Sequence, residues 1–108
     1  VGPNMNIYEQ SNFETEPDYP FVKSGMIGFT RYLASKFANE NIRANCIALG
    51  GVFNNQPKNF LNNYNKQVPL SRMALTDDIK GPVVFLSSDA SSYINGAIIP
   101  VDGGWTAI

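Results

Sequence analysis

Apolar residues recur at Phe21, Val22, Met26, Ile27, Phe29, Leu33, Ala34, Phe37 and Ala38. They stand mostly three and four apart and spread over more than one face, the pattern of a helix buried on two sides. A helix from Asp18 to about Asn39 follows, with Asp18 as N-cap and Pro20 in the first turn, where a missing N–H does no harm. Ser24, Gly25 and Gly28 would let a neighbouring backbone approach it closely. Ile42 to Leu49 is a short apolar run closed by Gly50-Gly51, the profile of a strand covered on both faces. Phe60, Leu61 and Tyr64 share one face of a short helix. Thr76, Asp77 and Asp78 mark a third helix start, with a capping hydroxyl and carboxylates at the positive end of the dipole. That helix runs to about Ser88, with Gly81-Pro82 in its first turns and Ile79, Val83, Phe85 and Leu86 on its buried side. Asp89 to Gly96 is a turn, and Ala97 to Val101 a second buried strand closed by Asp102-Gly103-Gly104. Trp105 then packs or meets a partner. Residues 1–17 carry Pro3, Pro17 and no apolar period, so they read as loop; Tyr8 and Phe13 either pack on the body or border a pocket.

A helix, a strand, two further helices and a second strand in succession give an α/β class. Ligands in open α/β sheets bind beyond the carboxyl ends of strands, which makes Leu49 to Asn54 the place for a cofactor. The 108 residues, 44% of them hydrophobic, suit one small domain. Net charge is −1 with both signs mixed along the chain, so nucleic acid and anionic membrane surfaces are disfavoured partners. The single cysteine, Cys46, falls in the first strand as a small apolar side chain, and a reducing, cytoplasmic setting fits. The sequence shows neither a membrane-length apolar run nor the pattern of a signal peptide. Histidine is absent; no metal-ligand spacing, Ser-His-Asp triad or Cys-His pair is present.

The chemistry-bearing pair is Tyr19 and Lys23, four residues apart and therefore on one side of the first helix. A positive charge held beside a phenol favours the phenolate, which would bring Tyr19 from its ordinary value near ~10 toward the range of an acid–base catalyst. Taken alone, such a pair is more often a surface contact on a solvated helix.

Several separated stretches change that weighting. Tyr19-Pro20-Phe21-Val22-Lys23, Asn41 to Gly50, Pro69-Leu70-Ser71-Arg72-Met73, Phe85 to Gly96 and Val101-Asp102-Gly103-Gly104-Trp105 resemble, in order and spacing, the short-chain dehydrogenase/reductase family. The resemblance covers residues 17–106 and matches the second half of such an enzyme. It implies that residues 1–108 are the C-terminal half of a Rossmann-like doubly wound parallel sheet, two strands with flanking helices, residues 1–17 being a loop ahead of the family portion at 18–106.

The implied activity is NAD(P)-dependent hydride transfer between a hydroxyl and a carbonyl of a small molecule, in a homo-oligomer. Tyr19 would be the acid/base, and Lys23 would lower its pKa and contact the nicotinamide ribose. Leu49, Gly50, Val52 and Asn54 would line the cofactor. The family usually has Pro where this chain has Leu49 and Thr where it has Asn54; Val52 would meet the nicotinamide carboxamide through its backbone. Phe53, Phe60 and Tyr64 fall in the family's substrate lid and are the candidate pocket residues. The family's catalytic serine, proton-relay asparagine and Gly-rich phosphate loop have no match in this chain, Ser11 standing too close to Tyr19. Arg72 is expected to make a structural bond near the third helix. The wording of Ile7-Tyr8-Glu9 and of Gly28 to Ala34 looks most like bacterial members of surface-sugar or flagellin-glycan biosynthesis. A 3-oxoacyl carrier-protein reductase and a non-catalytic α/β interaction module are the alternatives.

Overall fold

A computed structural model describes residues 2–12 and 14–108, so Phe13 lies outside the described residues. Helix α1 is Asp18–Lys36, strand β1 Cys46–Leu49, helix α2 Lys58–Gln67, helix α3 Thr76–Leu86 and strand β2 Ile98–Val101. The two strands pair in parallel, Cys46 opposite Ile98 and Leu49 opposite Val101, which gives the α/β arrangement that the periodicity implied and the Rossmann-like half-sheet that the family resemblance implied. Among the described residues no helix is long and apolar enough to cross a membrane.

Boundaries differ from the sequence pattern for local reasons. Pro17, not Asp18, occupies the N-cap of α1, leaving Asp18 in the first turn, where its charge still favours the positive helix end. The helix stops at Lys36, and a 3₁₀ turn at Ala38–Glu40 ends at Asn41, which takes the left-handed conformation with φ 56°. Residues 42–45 are not strand. Side-chain amides there replace ladder bonds: the Ala44 N–H donates to Asn95 Oδ1 at 2.9 Å and the Ala97 N–H to Asn45 Oδ1 at 2.9 Å. Arg43 closes the same corner, donating to the carbonyls of Leu86 at 2.9 Å and Ile94 at 3.0 Å, so that it satisfies an orphan carbonyl at the end of α3.

At the start of α3 the cap also changes hands. Leu75 is the N-cap, and its N–H donates to Asp78 Oδ2 at 2.7 Å, while the Thr76 hydroxyl does not cap. Arg72 grips the same carboxylate bidentately, at 2.7 and 2.9 Å, and donates to the Met73 carbonyl at 3.1 Å. Arg72 is thus the structural clamp before α3. This guanidinium and the Leu75 N–H draw the Asp78 carboxyl down to about 2, below the ordinary value near ~3.9. A lowered folded-state pKa stabilises the fold above that ordinary value, and the contribution is lost as pH falls toward 2. Denaturant midpoints measured between neutrality and pH 2 should therefore show an acid limb that Asp78→Asn flattens.

The buried cluster sits under the strand ends, not around α1. Ile7, Phe60, Tyr64, Val68 and Met73 form it, with Tyr8, Leu61 and Trp105 packed against them. Ile7 belongs to a 3₁₀ turn, Met5–Tyr8, inside the stretch expected to be loop. Conversely, much of the apolar surface of α1 and α3 lies open: Ala34 is buried, but Phe21 is 80% exposed, and Val22, Met26, Phe29, Val83, Val84 and Phe85 are exposed too. Val83 and Phe85 were expected on the buried side of α3; within these residues only Ile79, Pro82 and Leu86 of its apolar set are partly covered.

Candidate active site

The first candidate group is at the start of α1. Tyr19 is fixed by the helix start, its N–H donating to the Glu16 carbonyl at 3.2 Å. Pro20 follows inside the first turn without ending the helix. One turn on, Lys23 places its Nζ over the Tyr19 ring, 5.5 Å from the centroid, a cation–π distance. Both side chains are exposed, so a phenol O–H and an ammonium face outward together where a substrate or cofactor can meet them.

The second group is the turn after β1. The Gly50 N–H continues the parallel ladder to the Val101 carbonyl at 3.0 Å. The Gly51 N–H donates to the Tyr64 hydroxyl at 2.6 Å, and the Ala74 N–H to the Gly51 carbonyl at 2.8 Å. The Phe53 N–H returns to the Ala74 carbonyl at 2.8 Å, so that Val52 bridges Ala74 in parallel. Leu49 to Asn54 is therefore pinned from one side by Tyr64 and from the other by Ala74. Beyond it, Gln56 folds back: its Nε2 donates to the Val52 carbonyl at 2.8 Å and its Oε1 accepts the Asn54 N–H at 2.7 Å.

Between the two strand ends lies a cleft of about 190 Å³, lined by Gly50, Gly51, Tyr64, Arg72, Asp78, Asp102 and their neighbours. Asp102 folds its carboxylate onto the turn that follows it, accepting from the Gly104 N–H at 3.0 Å, the Thr106 N–H at 3.1 Å and the Thr106 hydroxyl at 2.7 Å. The Thr106 bond above all holds this carboxyl below its usual range. Burial pushes the Tyr64 phenol up, opposed by the Gly51 N–H and assisted by the Asp102 charge. Tyr64 thus keeps its proton and serves as a neutral acceptor for the turn.

Both glycines are there for space. A Cβ on Gly50 would stand 2.8 Å from Asp102 Cα, and one on Gly51 2.7 Å from the Tyr64 ring. Gly50→Ala should cost about 1–3 kcal/mol by overpacking against backbone, read as a lowered thermal midpoint.

The sequence-predicted residues separate into two sets. Tyr19 pairs with Lys23, while Gly50 and Tyr64 meet at the cleft, which neither Tyr19 nor Lys23 lines. Leu49 and Phe53 are exposed. Phe60 does not line the cleft: it is 5% exposed, edge-on to Tyr8 at 5.5 Å and stacked near Tyr64 at 6.3 Å. Tyr64 presents only its hydroxyl side to the cleft, its ring being stacked on Trp105 at 5.0 Å. The sequence reading missed Ala74, Gln56 and Asp102. Only Asp102 had a local signal, a carboxylate two residues before Gly104 and four before Thr106, where an Asp can cap a turn.

The family described as enoyl-(acyl carrier protein) reductase matches residues 4–106. The chain is 37% identical to 2-dehydro-3-deoxy-D-gluconate 5-dehydrogenase of Escherichia coli over an alignment of 115 positions, covering 98% of this chain and 46% of that protein. It is 36% identical to post-translational flagellin modification protein A of Campylobacter coli, over 95% of this chain and 40% of the other. Among solved structures, a short chain dehydrogenase from Leptospira borgpetersenii with bound NAD+ superposes with a TM-score of 0.88 at 40% identity, over 96% of this chain and 39% of that one. The chain spans less than half the length of these relatives.

Proposed function

The chain belongs to the short-chain dehydrogenase/reductase family, and from that premise we propose that it is the portion of an NAD(P)-dependent oxidoreductase that carries the proton-transfer residues. The observation that carries the reading is the outward-facing Tyr19–Lys23 pair on α1, in a chain whose parallel strands end in a pinned Gly50-Gly51 turn. A bound nicotinamide supplies the hydride chemistry. Tyr19 would transfer a proton between its phenol oxygen and the oxygen of the reacting carbon, and Lys23 would hold positive charge beside it and donate to a ribose hydroxyl of the cofactor.

The residues present fit that cofactor at one checkable point. The Val52 carbonyl and Asn54 N–H already hold a primary carboxamide, that of Gln56, the functional group a nicotinamide carries. Asn54 in place of the family's Thr keeps a hydrogen-bonding side chain at the end of this turn. Leu49, Gly50, Val52 and Asn54 would form the cofactor-facing rim. Phe53, exposed beside the turn, and the Tyr64 hydroxyl are the substrate-side groups, while Phe60 supports them from the core.

The substrate class we favour is a secondary alcohol or ketone on a sugar-derived carbon chain. Its support is the likeness to a deoxy-gluconate dehydrogenase and to a flagellin modification protein. The open apolar face of α1, with Phe21, Met26 and Phe29, supports a homo-oligomer built on that helix. Incubating the full-length protein with NAD+ or NADP+ and a panel of sugar acids and fatty-acyl alcohols, and following reduced nicotinamide absorbance, tests the reading. Turnover of sugar acids is expected. Turnover confined to acyl substrates would move the assignment to carrier-linked reductases, and none with either cofactor would overturn it.

A further inference from the structure

Gln56 makes a two-point bond to the backbone two and four residues before it. Its Nε2 donates to the Val52 carbonyl at 2.8 Å and its Oε1 accepts the Asn54 N–H at 2.7 Å. The side chain is only half-buried. A primary carboxamide offers a donor and an acceptor side by side in one plane, and the backbone between Val52 and Asn54 presents the complementary acceptor and donor. We propose that Gln56 is an internal competitor for the nicotinamide carboxamide: it fills this backbone pair in the cofactor-free protein and swings out when the dinucleotide arrives. The inference rests on the reading above that the full-length protein binds NAD(P) at this turn.

Two physical consequences follow. Being tethered two residues away, Gln56 finds the pair at a high effective concentration and keeps both backbone groups satisfied, so the empty turn stays ordered. The same occupancy lowers the apparent affinity for the dinucleotide, because only the fraction of molecules with Gln56 displaced is competent to bind. If the bonded form is populated about ten to one, removing it gains about tenfold in affinity. A ligand that lacks the nicotinamide gains nothing, since it never contests the pair.

Calorimetric titration of the full-length protein decides the matter, comparing wild type, Gln56→Ala and Gln56→Glu with NAD+, NADP+ and the corresponding ADP-ribose that lacks nicotinamide. Gln56→Ala should lower the dinucleotide Kd about three- to tenfold and leave the ADP-ribose Kd unchanged. Gln56→Glu, which at neutral pH can accept from Asn54 but cannot donate to Val52, should shift it in the same direction by less. Unchanged or weaker dinucleotide binding by both variants, with wild-type binding intact, would make Gln56 a support of the turn and overturn the proposal. Equal tightening of ADP-ribose would overturn it as well. Failure of the wild type to bind any of these ligands would instead remove the functional reading, and this inference with it.

Discussion

Replacing Tyr19 by Phe in the full-length enzyme is expected to cut turnover at least ~10²-fold while leaving cofactor affinity nearly unchanged. The physical basis is that Phe keeps the ring under the Lys23 ammonium, 5.5 Å away, and keeps the helix start, but has no proton to give or take. Because Tyr19 is 59% exposed, the substitution empties no packed core, and stability should hold. Lys23→Met should behave differently, raising the cofactor KM as well as lowering kcat, since it removes a charge and a ribose donor together. Steady-state kinetics with both substrates varied separate the two patterns. Near-normal turnover of the Phe variant would reduce the pair to the surface contact that its spacing alone suggests.

A polypeptide of these 108 residues by themselves is expected neither to bind NAD(P) at micromolar concentration nor to remain a monodisperse monomer. The described sheet has two strands, where independent stability takes about three or more with a covered face, and each strand has an open edge among the described residues. Phe21, Val22, Met26 and Phe29 of α1 and Val83, Val84 and Phe85 of α3 are exposed apolar side chains, which self-association would cover. Helix starts that follow Gly-rich turns hold the pyrophosphate in this fold, and among the described residues α1, α2 and α3 start instead after Pro17, Pro57 and Leu75. Light scattering and calorimetry on the polypeptide read both halves of the prediction. Phe29→Glu should shrink the assembled fraction if α1 is the contact. A stable monomer with micromolar affinity would show a self-sufficient module.

Much of the architecture was legible because apolar spacing and breakers report local backbone preference. The 3.6-residue recurrence from Phe21 to Ala38 placed α1, and Gly50-Gly51 and Asp102-Gly103-Gly104 placed the strand ends to within a residue. Likewise, Tyr19 and Lys23 could be put on one side of a helix from their separation alone, as the ring contact bears out. The length of β1 was overestimated because Ile42 and Ala44 look like strand residues. Whether they join a ladder depended on Asn95, 51 residues from Ala44, offering a side-chain acceptor instead.

Sequence by itself therefore determined the α/β class, the order of elements and the presence of a phenol–ammonium pair, which follow from neighbours within a turn or two, and the family, which several separated stretches between residues 17 and 106 carry together by their order and spacing. Tertiary structure alone decided which aromatics are core and which are accessible. Phe60 and Tyr64 share a helix face in either case, yet Phe60 is enclosed by Tyr8 while the Tyr64 hydroxyl emerges beneath Gly51. It alone also brought Ala74 beside Val52 and the Gln56 amide onto the turn. Hydrogen bonds of that kind depend on where separate segments meet in space, and neither residue type nor spacing carries that information until the chain is folded.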